Sequence, residues 1–347
     1  MAVAQALRAA ESDGDVLIVG RRGGMEESLV PRAGLPLETL DVRGVDVSAP
    51  ATVAGALLLL PRAIHQARGI IRRFSPDIVV GAAGYVCVPV VLAARSRAIP
   101  IVLLEQNATP GRAVRRLQRF ARAIAVSFPD TRLPGSRVVH TGNPLRAEVL
   151  AARASPLGDR CRHVLVMGGS QGARRINDAV AGCIHRLLED DRQLQLTHAC
   201  GARDAGWAVP VRAGLPDGVR ERYTVAPFFD DIAERIAAAD LVVMRAGGSS
   251  LAEVSALGRP MIVVPYPFAG GHQEDNAAPY VRGGAAVLVP DAECSSQRLR
   301  SEIEAFVNDP ARWRRTAAAS SSLGRRDATD RVVSLLREVS ASQAGGR

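Results

Sequence analysis

Lysine is missing from this chain, so all 44 of its basic side chains are arginine. A guanidinium keeps its charge when partly buried and offers a planar fork of donors. The net charge of +9 is therefore carried by groups suited to phosphates and carboxylates. Aromatic residues are scarce, at 4%, and the arginines are spread over many segments without an RNA-binding signature or a helix-turn-helix pattern. That combination argues against nucleic acid as the anionic partner. No apolar run reaches the ~18 to 20 residues needed to span a bilayer, and the chain does not open on a basic segment followed by a signal-type apolar core. A cytoplasmic location is the expectation. Cys87, Cys161, Cys183, Cys200 and Cys294 are widely spaced with no CxxC pair, which suggests neither a zinc site nor a disulfide framework. They are expected to be reduced, mainly buried and chemically quiet.

What is present is alternation. The chain of 347 residues is long enough for two domains with full cores. An amphipathic helix over Met1 to Arg8 is followed by a strand at Asp15 to Gly20, a short helix at Glu26 to Pro31 and a strand at Leu37 to Val42. A helix over Val53 to Phe74, with Leu57 to Leu60 beside Arg62, Arg68, Arg72 and Arg73, leads to a strand at Asp77 to Gly81. Gly84 to Pro89 opens another helix, Ile101 to Leu104 is a buried strand, Arg112 to Arg122 a basic helix, and strands at Ala123 to Ser127 and Arg137 to Thr141 close this half. Gly142 to Arg146 reads as a turn into a linker running through Ala151 to Arg162. Further strands are predicted at His163 to Met167, Gln193 to Cys200, Tyr223 to Ala226, Leu241 to Met244, Met261 to Val264 and Ala286 to Val289. The fold class is α/β, with two doubly wound parallel sheets and a ligand site at the C-terminal strand ends, in an interdomain cleft. The expected domains are 1–145 and 146–327, with a last helix at about 328–345 packing back on the first.

The run Asp240-Leu-Val-Val-Met-Arg-Ala-Gly-Gly-Ser-Ser-Leu-Ala-Glu253 predicts a buried strand, a glycine turn and a helix capped by Ser249 or Ser250. Free N–H groups at that helix start favour an anion such as diphosphate, and Glu253, one turn in, is placed to accept from ligand hydroxyls. Gly168-Gly-Ser-Gln-Gly172, after an apolar strand, is a second candidate phosphate turn. It lacks the lysine and spacing of a P-loop and departs from GxGxxG, which argues against a nicotinamide oxidoreductase.

These turns stand in a longer series: Gly84-Tyr-Val-x-x-Pro89, Glu105-Gln-Asn107, Gly142-Asn-Pro-x-Arg146, Gly168-Gly-Ser-Gln-Gly-Ala173, Phe229-Asp-Asp231, Arg245-Ala-Gly, Ala252-Glu253 and His272-Gln273-x-x-Asn276. Together, over residues 1 to about 335, they resemble the bacterial MurG family. That family attaches N-acetylglucosamine to the lipid-linked muramyl-pentapeptide in peptidoglycan synthesis, and so serves cell-wall growth, cell shape and division. The resemblance implies a GT-B fold of two Rossmann-like domains. The C-terminal domain would hold UDP-N-acetylglucosamine and the N-terminal domain the lipid diphosphate acceptor, at the cytoplasmic face of the plasma membrane. Carried onto this sequence, Ser170 contacts the donor diphosphate or nearby sugar groups and Arg146 neutralises phosphate charge. Phe229 takes the position whose backbone meets uracil. Gly248, Ser249, Ser250, Leu251, Ala252 and Glu253 wrap the nucleotide sugar, with Glu253 on the ribose hydroxyls. Gln273 and Asn276 hold the sugar, and Asn107 meets it from the other domain. Tyr85 lies on the acceptor side. No metal and no cofactor are implied, and the general base is left unassigned. Arg68, Arg72, Arg73, Arg115 and Arg116, beside apolar residues, suit an anionic membrane surface. Plainer readings stand beside these: Arg146 as a surface arginine, Glu253 as a solvated helix residue, Asn107 as a turn residue, and each basic helix as a core-facing helix with a solvated side.

The chain departs from the family at its start. The family's first strand and its Gly-x-Gly-Gly-Thr-x-Gly-His turn are absent, and Ala2 to Leu7 matches the helix that follows them. That strand belongs in the middle of the N-terminal sheet, so its loss would leave ladder groups unpaired, and a start placed at an internal methionine is the expectation. Ala83 for a usual glycine and Phe229 for isoleucine are mild departures. The alternatives to the lipid-linked acceptor are a GT-B transferase with a different acceptor and a truncated, non-catalytic UDP-sugar-binding protein.

Overall fold

In the runs Val164–Met167, Leu241–Met244 and Met261–Val263 every residue is buried, which is what a parallel strand covered on both faces requires. The computed structural model describes residues 1–10, 14–43, 50–82, 84–169, 172–267 and 272–344. It divides into two compact units, residues 1–144 with 327–347, and residues 145–326.

The first unit runs α1 (Ala2–Ala10), β1 (Ile18–Arg21), α2 (Glu26–Arg32), β2 (Leu37–Leu40), α3 (Pro50–Phe74), β3 (Val79–Gly81), α4 (Cys87–Arg95), β4 (Ile101–Glu105), α5 (Arg112–Leu117), β5 (Ala123–Val126) and β6 (Val138–His140). All pairings are parallel, but the strands form two ladders where one sheet was expected: β1–β2, and β3–β4–β5–β6. The pieces share a core, because Leu40 at the end of β2 packs in one cluster with Ala67, Ile70 and Ile71 of α3, Val79 and Ile101. The basic helix expected over Arg112 to Arg122 stops early. The Arg122 N–H donates to the Ile101 carbonyl at 2.8 Å to enter the sheet, so after a 3-10 turn at Gln118–Phe120 the chain is already extended at Ala121.

The second unit runs α6 (Ala147–Ala151), β7 (His163–Met167), α7 (Arg174–Asp190), β8 (Gln195–Ala199), α8 (Ala205–Ala213), α9 (Asp217–Arg220), β9 (Tyr223–Ala226), α10 (Ile232–Ala238), β10 (Leu241–Met244), α11 (Gly248–Ala256), β11 (Met261–Val263), α12 (His272–Arg282), β12 (Ala286–Leu288), α13 (Ser296–Val307) and α14 (Pro310–Leu323). One parallel six-stranded sheet results, in the order β12-β11-β10-β7-β8-β9. Alternate residues face opposite layers. Val164, Val166, Leu241 and Val243 pack with Val180 and Ile184 of α7 and Leu299 and Ile303 of α13, while Leu165, Met167, Val242 and Met244 pack with Ile236, Leu251 and Val254 of α10 and α11.

The last helix, α15 (Ala328–Ala344), belongs to the first unit. Its Val332, Leu335, Leu336 and Val339 stand one helical face apart and pack on Val102, Leu104, Ala123 and Ala125, with Val3 and Leu7 of α1 at the margin.

Candidate nucleotide-sugar site

The order of the second sheet fixes where a ligand can sit. The chain moves outward from β7 through β8 to β9, then returns to place β10 on the other side of β7. Loops leaving β7 and β10 therefore diverge, and the crevice between them at the carboxyl ends is the usual ligand position of an open α/β sheet. Met167 pairs with Met244 in register, so the two stretches that stood out in the sequence, Gly168 to Gly172 and Arg245 to Glu253, leave side by side.

The first loop needs its glycines. A Cβ on Gly168 would lie 2.7 Å from the Ala173 nitrogen, and one on Gly172, where φ is +83°, would lie 2.6 Å from the Cys200 carbonyl oxygen. Ser170 lies outside the described residues. Beneath the loop runs a buried polar chain that sequence reading missed. The Asn177 Nδ2 donates to the Cys200 carbonyl at 2.9 Å and to Asp204 Oδ2 at 2.7 Å, and the Arg174 Nη1 donates to Asp204 Oδ1 at 3.3 Å. With Nδ2 so committed, Asn177 Oδ1 accepts from His198 Nε2 at 2.9 Å, and His198 Nδ1 accepts from the Tyr223 hydroxyl at 2.9 Å. Each proton in the chain has one place, and His198 is neutral, its pKa pushed down to about 3 mainly by burial.

The second loop begins at Arg245, whose Nη1 donates to the carbonyls of Val264 and Pro265 at 3.0 and 3.2 Å and to Asp291 Oδ1 at 2.5 Å, tying the ends of β10 and β11 together. The expected serine cap of α11 is not formed. Gly247 holds the N-cap position in extended conformation, and a glycine brings no side chain to accept from the first-turn N–H groups. Gly248 is buried, while Ser249 is exposed and Ser250 and Ala252 are half-buried. Leu251 points into the apolar cluster and its N–H is taken by the Gly247 carbonyl at 3.0 Å, so its part in the expected site is to seat the helix.

From α12, Gln273 Oε1 accepts the Ala246 N–H at 3.1 Å and the Tyr266 N–H at 2.9 Å, and Asn276 Nδ2 donates to the Ala246 carbonyl at 3.3 Å. Both residues expected on the sugar thus hold the turn between β10 and α11. Glu253, 8% exposed, is gripped by Arg146 at the start of α6 in a two-pronged pair, Nε to Oε1 at 2.7 Å and Nη2 to Oε2 at 2.8 Å. Phe229 is half-buried under the Arg235 guanidinium, 4.0 Å from the ring centroid. Asn107, in the first unit, gives its backbone N–H and its Nδ2 to Glu105 Oε1 at 2.9 and 3.2 Å. Glu105, 1% exposed, also accepts the Gly111 N–H on Oε2 at 2.7 Å, an organising role not foreseen for it. All five cysteines are free and buried, and burial pushes the Cys87 and Cys294 thiols up to about 11.

Two family models match this chain: glycosyltransferase family 28 N-terminal domain over residues 1–126, and glycosyltransferase family 28 C-terminal domain over residues 163–332. The UDP-N-acetylglucosamine--N-acetylmuramyl-(pentapeptide) pyrophosphoryl-undecaprenol N-acetylglucosamine transferase of Desulforudis audaxviator is 37% identical, covering 98% of this chain and 94% of its own. The chain belongs to the MurG family. A second MurG-family relative of the same name, from Nitratidesulfovibrio vulgaris strain Hildenborough, is 39% identical over 98% of this chain and 93% of its own. The crystal structure of Acinetobacter baumannii MurG superposes with a TM-score of 0.76 at 26% identity, covering 97% of this chain and 94% of that one. The GT-B architecture of MurG is accordingly the fold of this chain.

Proposed function

We propose that this chain is an inverting transferase that moves N-acetylglucosamine from UDP-N-acetylglucosamine to the lipid-linked muramyl-pentapeptide of peptidoglycan synthesis. The observation that carries this reading is that the glycine turn after β7 and the Arg245 to Glu253 loop after β10 leave from paired strand ends, at the switch point of the parallel sheet, in a chain of this family. The uncapped first turn of α11 offers N–H groups to a diphosphate. As the acceptor hydroxyl attacks the anomeric carbon, the bond from that carbon to the diphosphate oxygen breaks and UDP leaves. Charge gathering on the departing oxygen is met by those N–H groups. The hydroxyl proton passes to a base that no residue in the site is assigned to be. Radiolabelled UDP-N-acetylglucosamine with the lipid-linked muramyl-pentapeptide in detergent is expected to give labelled disaccharide lipid and one UDP per transfer. Label moving only to a different acceptor, or donor bound without transfer, would overturn the reading in favour of one of its two rivals.

The acceptor is membrane-bound, and the first unit is proposed to rest on an anionic lipid surface at the cytoplasmic face. Among the described residues no helix is long and apolar enough to cross a membrane. On α3, Leu58 is 81% exposed and Arg68 and Arg72 are exposed, whereas Arg73 pairs with Glu38 at 2.8 Å and Arg62 with Asp41 at 3.2 Å. Arg115, Arg116 and Arg119 line a 610 Å³ recess with Gln118, Pro134, Gly135 and Ser136, and Tyr85 is exposed. At about 1 kcal/mol per arginine near a charged surface, replacing Arg115, Arg116 and Arg119 by serine is expected to weaken sedimentation with phosphatidylglycerol vesicles by roughly 100-fold at low salt. Sedimentation indifferent to salt and to these changes would refute a lipid contact here.

A further inference from the structure

The glycine turn after β7 is carried at both ends by the carboxyl end of β8. The Gly168 N–H donates to the Ala199 carbonyl at 3.1 Å, and Gly172 stands so close to the Cys200 carbonyl that only a residue without a Cβ fits. The same stretch also carries the loop after β9, because the Cys200 N–H donates to the Ala226 carbonyl and the Gly201 N–H to the Pro227 carbonyl, each at 3.0 Å. A shift of Cys200 would therefore move both the turn expected at the diphosphate and the loop that leads to Phe229. Apolar packing sets such a position only loosely, whereas a directional bond sets it closely. Cys200 has that bond: the Asn177 amide nitrogen donates to its carbonyl at 2.9 Å and to Asp204 Oδ2 at 2.7 Å. Asp204 in turn holds Arg174, the first residue of α7.

We infer that His198 is a positioning residue for the nucleotide site: its Nε2–H holds the Asn177 amide in the one orientation that supports the Cys200 carbonyl, and through that carbonyl it sets the glycine turn. An amide turned end over end keeps its shape and exchanges its donor for its acceptor. Turned over here, Asn177 would set Oδ1 against a carbonyl oxygen and a carboxylate, acceptor against acceptor. His198 holds the working orientation by donating to Oδ1 at 2.9 Å, and the Tyr223 hydroxyl, donating to Nδ1 at 2.9 Å, keeps the ring proton on Nε2. Asn177, His198 and Tyr223 are each 0% exposed, so bulk solvent does not compete for these bonds. An apolar side chain at position 198 would fill the space and keep α7 against the sheet, but it would leave Oδ1 unpaired and the amide free to tilt off the carbonyl. The inference rests on the donor-site reading of the second unit, and the chain of bonds acts on the ligand only through Cys200 and Gly172.

The test is calorimetric titration of the full chain with UDP, well below the melting temperature of every variant, so that the nucleotide is always offered a folded site. H198M, which fills the space and cannot donate, is expected to weaken UDP about tenfold, close to the value of one hydrogen bond. H198Q should come within about threefold of the unaltered chain, since its NH2 can donate to Asn177 in place of the ring. F306L, a core change on α13 outside the chain of bonds, is the control: it should lower the melting temperature and leave UDP affinity within about twofold. Nitrogen-15 spectra of the unaltered chain should show His198 as the neutral ring with its proton on Nε2. Unchanged UDP affinity in H198M, a loss in H198Q as large as in H198M, an equal loss in F306L, or the proton on Nδ1 would each overturn the inference and leave the chain of bonds as a stabiliser of the fold alone. Failure of the unaltered chain to bind UDP would instead overturn the donor-site reading, and the inference with it.

Discussion

Lowering the pH from about 6.5 to about 3 is expected to destabilise the second unit by roughly 4 kcal/mol through His198 alone, at about 1.4 kcal/mol per unit of pH. The imidazole is fully buried and its pKa is pushed down from 6.5 to about 3, chiefly because burial penalises the charged form; the Asp204 carboxylate opposes the shift only in part. In the unfolded chain the ring takes up a proton below 6.5, whereas the folded chain refuses it until about 3. Unfolded molecules thus bind more protons across that window. Stability is fully present above 6.5 and drains away as the pH falls. Protonation also disturbs the chain: Nδ1 accepts from Tyr223, so adding a proton there makes the hydroxyl give up that bond and turn its hydrogen elsewhere, with Trp207 packed edge-on 5.7 Å away. Urea titrations at pH 7, 5.5 and 4.5 should show the loss, and His198→Gln, though less stable at pH 7, should show a shallower fall. A fall of unchanged steepness in that variant would assign the acid sensitivity to carboxylates elsewhere.

Replacing Glu105 by alanine is expected to cost about 3 kcal/mol, because three half-buried N–H groups lose their carboxylate acceptor at about 1 kcal/mol each. Those donors are the Asn107 backbone, the Asn107 side chain and the Gly111 backbone, and between them they fold residues 106–111 around one carboxylate at the end of β4. The Thr131 hydroxyl pins the same loop by donating to the Ala108 carbonyl at 3.1 Å. Glu105→Gln should fall between alanine and the native residue, since it retains one oxygen but turns an N–H toward another N–H. Both variants should lose transfer activity along with stability if Asn107 has the sugar contact that the family resemblance implies. Urea midpoints and turnover measured on the same preparations check this, and an alanine variant within about 1 kcal/mol of the native chain would refute the organising role of Glu105.

The sequence was most legible where period and punctuation agree. Tyr223–Ala226 and Leu241–Met244 are strands at the residues predicted, because short runs of β-branched, aromatic and aliphatic residues bounded by Arg and Pro or by Asp and Arg leave few other options. The glycine turn after Leu241–Met244 was also visible as a turn. What could not be read was long-range. Nothing local says that β10 returns to the far side of β7, and it is that return which lets the two turns start from neighbouring strand ends. Arg146 and Glu253 are 107 positions apart, so their pairing waits on the apolar cluster that α6, α10 and α11 share. The cap of α11 was misread because serine at a helix start is a strong signal, yet Gly247 takes the cap position and moves Ser249 and Ser250 into the first turn. The buried chain from Asp204 to Tyr223 left no trace, since its members come from α7, β8, β9 and the turn after β8.

The grip of Gln273 on the turn after β10 has a directional consequence. Its Oε1 is occupied by two backbone N–H groups, so the amide cannot flip, and what it can present outward is its NH2. Any hydroxyl that met this amide would have to act as an acceptor and send its own hydrogen onward to some other oxygen. In a freely rotating glutamine that choice would be made afresh by each ligand. Here it is made by the fold before any ligand arrives, so an ether or fluorine in place of that hydroxyl could still meet the amide but would break the chain of donors at the next link.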